Sequence, residues 1–187
     1  MRKDNKGFSM VELVIVIALM AVVGSVFAYS FSMVTGQESR QCANNISTVL
    51  DKAKNYSLTK SASSDAYVEI SKGTDGYIAV FYAPVSPINA SAVAGSADYV
   101  QLEKENIGKK AVGITVTLEG GSSFEISETT KLRVYFNRVS GAFKEAVVVN
   151  GSSETKAYCS KIEIVRGRTY RITFYNPTGK HTLERIS

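Results

Sequence analysis

Lys6-Gly7-Phe8-Ser9-Met10-Val11-Glu12-Leu13, followed by Val14-Ile15-Val16-Ile17-Ala18-Leu19, is the stretch on which the fold of this chain turns. Ahead of it Arg2, Lys3 and Lys6 are opposed only by Asp4. Behind it, the 22 residues 13–34 carry no formal charge, and at ~1.5 Å per helical residue they span a hydrocarbon core of ~30 Å. A basic flank ahead of an apolar span stays in the cytoplasm and sends the C-terminal side of the span across the membrane. The bulk of the chain is therefore expected outside an inner or cytoplasmic membrane, on a single-pass anchor.

The remainder is ordinary globular sequence. The chain has 187 residues, enough for one folded domain with a real core. Apolar residues make up 44% and charged residues 21%, which excludes wholesale disorder. A net charge of +5 is too mild for a protein built to coat nucleic acid. With 2 cysteines and 1 histidine, neither a cysteine-rich zinc module nor a dense disulfide scaffold can form, and any histidine-based catalysis would rest on His181 alone.

Glu12 is the one acid inside the apolar run. A carboxylate well inside a membrane helix costs about 2.5–3.5 kcal/mol, less near the interface, so Glu12 either has a partner or lies at the headgroup boundary and snorkels. An ordinary secretory signal ending at Val26-Phe27-Ala28, with Tyr29 as the new N-terminus, gives Glu12 and Gly7 no role. Neither does a plain signal anchor.

The same residues resemble the processing signal of type IV pilins and pseudopilins: a basic leader, glycine, phenylalanine and a lone acid at fixed spacing ahead of an apolar helix. The resemblance implies cleavage between Gly7 and Phe8 by a prepilin peptidase, which would leave an ammonium at Phe8, four residues before Glu12 on the same helical face, and methylation of that amine. Glu12 then becomes the fifth residue of the mature chain, neutralising the amine of an adjacent subunit during assembly. Family members often carry a proline in the middle of the membrane half; here Tyr29 stands about where it would fall.

Past Val34, apolar residues recur at Cys42, Ile46, Val49, Leu50, Ala53 and Tyr56, the spacing of one face of an amphipathic helix reaching about Lys60. With the membrane segment this predicts one helix of ~53 residues, roughly 80 Å long, in which Gly24 and Gly36 are places for a bend or a close contact. From residue 66 the period changes to two. Strands are expected at 66–71, 77–82, 99–104, 112–118, 123–127, 132–137, 142–149, 161–165, 169–175 and 181–186, with turns at Gly120-Gly121, Asn150-Gly151 and Arg166-Gly167. The expected fold is α+β: a long N-terminal helix, half membrane-spanning and half amphipathic, packed on an antiparallel β-sheet head. The chain divides into a leader at 1–7, a transmembrane segment at 8–34, an amphipathic helix at 35–62 and a β head at 63–187. A long helix carrying a β head is also the pilin plan. The meander at 132–149 and the closing segment from Ile162 to Lys180 are loosely similar to H-type minor pseudopilins and FimT-like minor pilins.

Several further features have two readings. Cys42 and Cys159, on the oxidising side of a membrane, either form a disulfide or stay as two buried thiols. Residues 84–97, rich in Ala and Ser, read as a surface loop. Residues 156–187 hold an excess of bases including Arg166, Arg168 and Arg171, which suits either contact with DNA or an anionic wall, or simply solvated strand faces. No metal-ligand spacing, phosphate loop or nucleophile elbow is present, so neither an enzyme nor a cofactor is expected.

The sequence is thus expected to encode a structural subunit, a minor pilin or pseudopilin of a type IV pilus-like or type II secretion-like filament, serving secretion, adhesion, motility or DNA uptake. Its implied partners are other pilins, the prepilin peptidase, and the assembly platform with its ATPase. The alternative is a secreted or anchored β-domain that binds a surface ligand.

Overall fold

The computed structural model describes residues 9–59, 65–84 and 99–186. Gly7, Phe8 and residues 85–97 of the expected surface loop lie outside them.

A single helix, α1 (Met10–Thr59), runs unbroken for 50 residues. Ser9 begins it: its hydroxyl accepts from the Val11 amide at 3.3 Å, satisfying one of the donors a helix start leaves open. The outer half buries a stripe at Thr35, Gly36, Ser39, Cys42, Ala43, Ile46, Val49, Leu50, Ala53 and Ser57. Of its apolar members, Cys42, Ile46, Val49, Leu50 and Ala53 are those the spacing of three and four anticipates and Ala43 is an addition; Tyr56 sits only partly buried at the margin. Toward the inner half the stripe continues in small residues, which lets the helix approach its sheets closely where larger side chains would hold it off.

The head is two antiparallel sheets. The first has the order β3 (Tyr99–Lys109), β2 (Gly76–Pro84), β1 (Tyr67–Lys72), β6 (Thr130–Tyr135), β7 (Ala146–Asn150), β8 (Ser153–Ala157). The second has the order β11 (Lys180–Arg185), β10 (Arg168–Tyr175), β9 (Cys159–Arg166), β4 (Gly113–Leu118), β5 (Ser123–Glu125). Helix α1 touches β1, β2 and β3 of one sheet and β9, β10 and β11 of the other. It is the joint between them, and a single cluster is shared by all three layers: Ile46 and Leu50 of α1, Val68 and Ile70 of β1, Ile162 and Ile172 of β9 and β10. Each such side chain contributes about 1.5–3 kcal/mol on leaving water.

Three sequence expectations need correction in detail. Ser153–Ala157 lies outside the expected strands, because its residues Ser-Glu-Thr-Lys-Ala lack apolar alternation; it is β8, an exposed edge strand with no buried face to pattern. The strand expected at 142–149 begins only at Ala146, and the residues before it form a loop tied by an isolated bridge between Phe136 and Phe143. The strand at 99–104 runs on to Lys109 through register shifts against β2. The turn between β9 and β10 is at Gly167, whose φ of +68° and close approach to Thr35 of α1 both exclude a side chain.

Candidate functional site

Among the described residues, the inner half of α1 leaves a long run of large apolar side chains exposed. Met10–Phe27 has a mean hydropathy of 2.6 and none of it is buried by the rest of the protein. In water such a surface demands cover, and its length and composition suffice to cross a membrane. Glu12 is the only charge in the span, exposed on the first turn of the helix. There the aligned peptide dipoles favour an anion. Ser9 and Glu12 together have the Ser-x-x-Glu spacing of a capping box, a signal present in the sequence that adds Ser9 to the residues shaping this end. Glu12 stands one turn inside the helix; the Gly7-Phe8 bond and the Phe8 amine lie outside the described residues.

A helix whose inner half engages a membrane or other subunits needs its outer half held firmly to the head, and polar clamps do this along its length. Nearest the apolar span, Glu38 accepts from Lys109 Nζ at 2.7 Å through one oxygen and pairs with Arg166 through the other. Ser39 Oγ donates to the Arg166 carbonyl at 3.2 Å, and Asn45 Nδ2 to the Ile107 carbonyl at 3.3 Å. Farther out, Lys52 reaches Glu103 at 2.8 Å, and Lys54 donates to the carbonyls of Thr178 and Gly179 at 3.2 and 3.0 Å. Between these, Ser47 Oγ lies 2.7 Å from Nε2 of His181. Burial holds the His181 imidazole below its ordinary pKa; Asp51 pulls it upward and Lys54 adds to the lowering.

The Ser47, His181 and Asp51 constellation is not a nucleophilic triad. Asp51 Oδ1 lies 4.0 Å from Nε2, the same nitrogen that meets Ser47, whereas a triad needs its acid on the opposite ring nitrogen. Among the described residues no three His, Cys, Asp or Glu side chains come together as a metal set.

The three arginines singled out in the sequence are engaged within the protein. Arg166 pairs with Glu38. The stem of Arg168 lies over Gly36, where a β-carbon would stand 2.7 Å from its Cδ. Arg171 donates through Nε and Nη2 to one oxygen of Glu163, at 3.0 and 2.7 Å, and lies 3.7 Å from Glu184. Lys161 adds a bond of 3.1 Å to the same Glu163 oxygen, and these partners hold the Glu163 carboxyl below its usual range, Arg171 foremost. Cys42 and Cys159 are free thiols in the structure. Cys42 faces Gly108 of β3, and Cys159 Sγ sits 4.0 Å from the Thr117 carbonyl. Desolvation raises both thiols to about 12.

Compared with known families, residues 2–28 match the prokaryotic N-terminal methylation motif. No curated protein and no solved structure matches the chain. The matched segment contains Gly7, Phe8, Ser9 and Glu12 and includes the whole uncovered span Met10–Phe27 of α1. The chain thus begins with the signal of type IV pilins, on an N-terminal apolar helix that fits a membrane anchor.

Proposed function

We propose that this chain is a structural subunit, a minor pilin or pseudopilin, of a type IV pilus-like or type II secretion-like filament. The observation that carries the reading is the uncovered span Met10–Phe27, which holds one carboxylate and continues without a break into a half clamped on the head. In the membrane the span anchors the subunit with its head outside. On assembly, the same apolar surface packs against the helices of other subunits. A prepilin peptidase removes the leader between Gly7 and Phe8 and methylates the new amine. Glu12 meets the Phe8 amine of an adjacent subunit, a charge pair whose strength grows in apolar surroundings and which sets the stagger of neighbours. An assembly platform and its ATPase supply the extraction from the bilayer.

Mass analysis of the exported protein is the test. A first residue of methylated Phe8 is the expected result. Tyr29 as first residue would mean secretory cleavage, and an intact Met1 a plain anchor; either outcome rejects the filament reading. Gly7→Ala is expected to block processing, since the peptidase approaches the backbone where a side chain intrudes. Glu12→Ala is expected to insert normally and yet be lost from filaments recovered with their partner pilins.

A further inference from the structure

Val34 closes the uncharged run, and the head packs on α1 at the very next residues. Gly167, in the turn between β9 and β10, lies against Thr35, and the stem of Arg168 lies over Gly36. One helical turn farther along, Lys109 at the end of β3 pairs with Glu38. Residues 35–40 occupy about 8 Å of helix, and a headgroup layer adds roughly 5–8 Å on each side of the hydrocarbon core. With the uncharged run in the bilayer, this end of the head stands among lipid headgroups.

What it presents there is basic. Arg40, Lys110 and Arg185 are exposed, and among the described residues neither they nor Arg168 form an ion pair. Glu38 is shared by Lys109 and Arg166, which leaves one further positive charge. In the turn between β1 and β2, Lys72 and Asp75 cancel. Beside the arginines runs a short apolar row. Val165 of β9 stands opposite Thr169 of β10, whose carbonyl accepts from the Ile186 amide at 2.9 Å. Val165 and Ile186 are 48% and 45% exposed, on the face of the second sheet opposite to the buried Ile164 and Tyr170.

We propose that this end of the head docks on the anionic phospholipid headgroups of the membrane that α1 enters. Guanidinium groups meet phosphate oxygens with paired donors, and the Lys110 ammonium meets them as a point charge. Bases held at headgroup depth lie within the Debye length of about 8 Å, where attraction to an anionic surface is least screened. Val165 and Ile186 add apolar area at the boundary between headgroups and acyl chains, where exposed aliphatic side chains beside bases are at home. Depth decides between lipid and nucleic acid. A duplex could reach these bases only by lying flat against a bilayer whose own phosphates already occupy the site.

Docking fixes how the head sits on the membrane before assembly, and lifting the subunit out of the bilayer breaks these contacts. It rests on the membrane-anchored reading of α1, yet the two fail separately. The full-length chain with Ile186→Cys takes an environment-sensitive dye at that position, while Cys42 and Cys159 are buried. It is reconstituted into vesicles of phosphatidylcholine, with or without phosphatidylglycerol, that carry a headgroup-linked quencher. The same dye on Val139→Cys reports the opposite end of the head, where Gly141 meets Leu58 near the end of α1.

Quenching at position 186 is expected to be at least about threefold greater in the anionic vesicles and to return to the neutral level in high salt. Position 139 is expected to show no such difference. The triple variant Lys110→Gln, Arg168→Gln, Arg185→Gln is expected to abolish the difference. Lys110→Gln with Arg185→Gln, which keeps the packing of Arg168 on α1, is expected to remove about half of it. Chain that floats with both kinds of vesicle but is quenched equally in them, equally at 186 and 139, or regardless of both charge variants overturns the docking alone. Chain that floats with neither rejects the membrane anchor, and the docking with it.

Discussion

Gly108 of β3 stands directly beneath Cys42 of α1: a β-carbon on the glycine would lie 2.6 Å from the sulfur and 3.2 Å from the cysteine Cβ. The helix can sit this close to the sheet only because one partner has no side chain. Cys42 is fully buried and short, so it has nowhere to withdraw. Gly108→Ala is expected to cost about 1–3 kcal/mol, the usual range for overpacking a filled core. Gly36 makes the informative contrast. A β-carbon there would meet the Arg168 stem at 2.7 Å, but that stem is long and rotatable. Gly36→Ala is expected to cost under about 1 kcal/mol, because the arginine can swing aside. Thermal unfolding of both variants in detergent reads the difference; equal losses would mean that the give of the neighbour is not what matters.

The same burial decides the chemistry of the two thiols. Desolvation lifts Cys42 and Cys159 to about 12, leaving almost no thiolate at neutral pH, and the thiolate is the reactive species. A maleimide or iodoacetamide probe is expected to leave the native protein unlabelled and to modify both cysteines once it is unfolded without reductant. Labelling of neither cysteine in the unfolded, unreduced protein would reveal a bridge between them.

What could be read from the sequence is what leaves a periodic trace in it. The helix face from Cys42 to Ala53 is legible because its burial is one-sided and large, so spacing reports it directly. Its inner continuation through Thr35, Gly36 and Ser39 is not, since these residues are buried by close approach and carry no hydrophobic signal. Strand β8 is invisible for the opposite reason: with Ser153, Glu154, Thr155 and Lys156 all exposed, only its pairing to β7 makes it a strand. The split into two sheets, and the role of Glu38 as partner of both Lys109 and Arg166, are facts of long-range pairing that no local pattern encodes. In the candidate assembly site, Glu12 stands out as a lone acid in an apolar run, whereas Ser9 is marked only by the Ser-x-x-Glu spacing it makes with Glu12.

His181 makes the helix–head joint sensitive to acid. Its imidazole lies below the ordinary value of 6.5, chiefly through burial, with Lys54 adding to this and Asp51 opposing it. A histidine lowered in the folded state binds fewer protons there than in the unfolded chain. Its contribution to stability is therefore complete above pH 6.5 and is lost progressively as the pH falls from there through the lowered folded value. The slope is limited to about 1.4 kcal/mol per pH unit for one proton. His181→Gln is expected to flatten the fall in melting temperature between about pH 7 and 5 relative to the parent. Parallel curves for parent and variant would remove His181 as the cause.

Arg166 and Arg171 separate two roles that a count of basic residues confuses. Arg166 joins the end of β9 to Glu38 of α1, and both side chains are mostly buried. Breaking that pair is expected to cost more than the ~0–1 kcal/mol typical of exposed pairs and less than the roughly 3–5 kcal/mol of fully buried ones, because Lys109 still serves Glu38. A double-mutant cycle with Glu38→Gln and Arg166→Gln is expected to show a coupling of about 0.5–3 kcal/mol, and a value near zero would dissolve the clamp. Arg171 spends its donors on Glu163, so little of its charge is left to release counterions from a phosphate backbone. Arg171→Ala is accordingly expected to leave any retention of duplex DNA by the full-length protein within about twofold in an electrophoretic assay. A loss of about tenfold or more with the head still folded would show that this strand face meets DNA after all, with Glu163 giving up its partner to the phosphate.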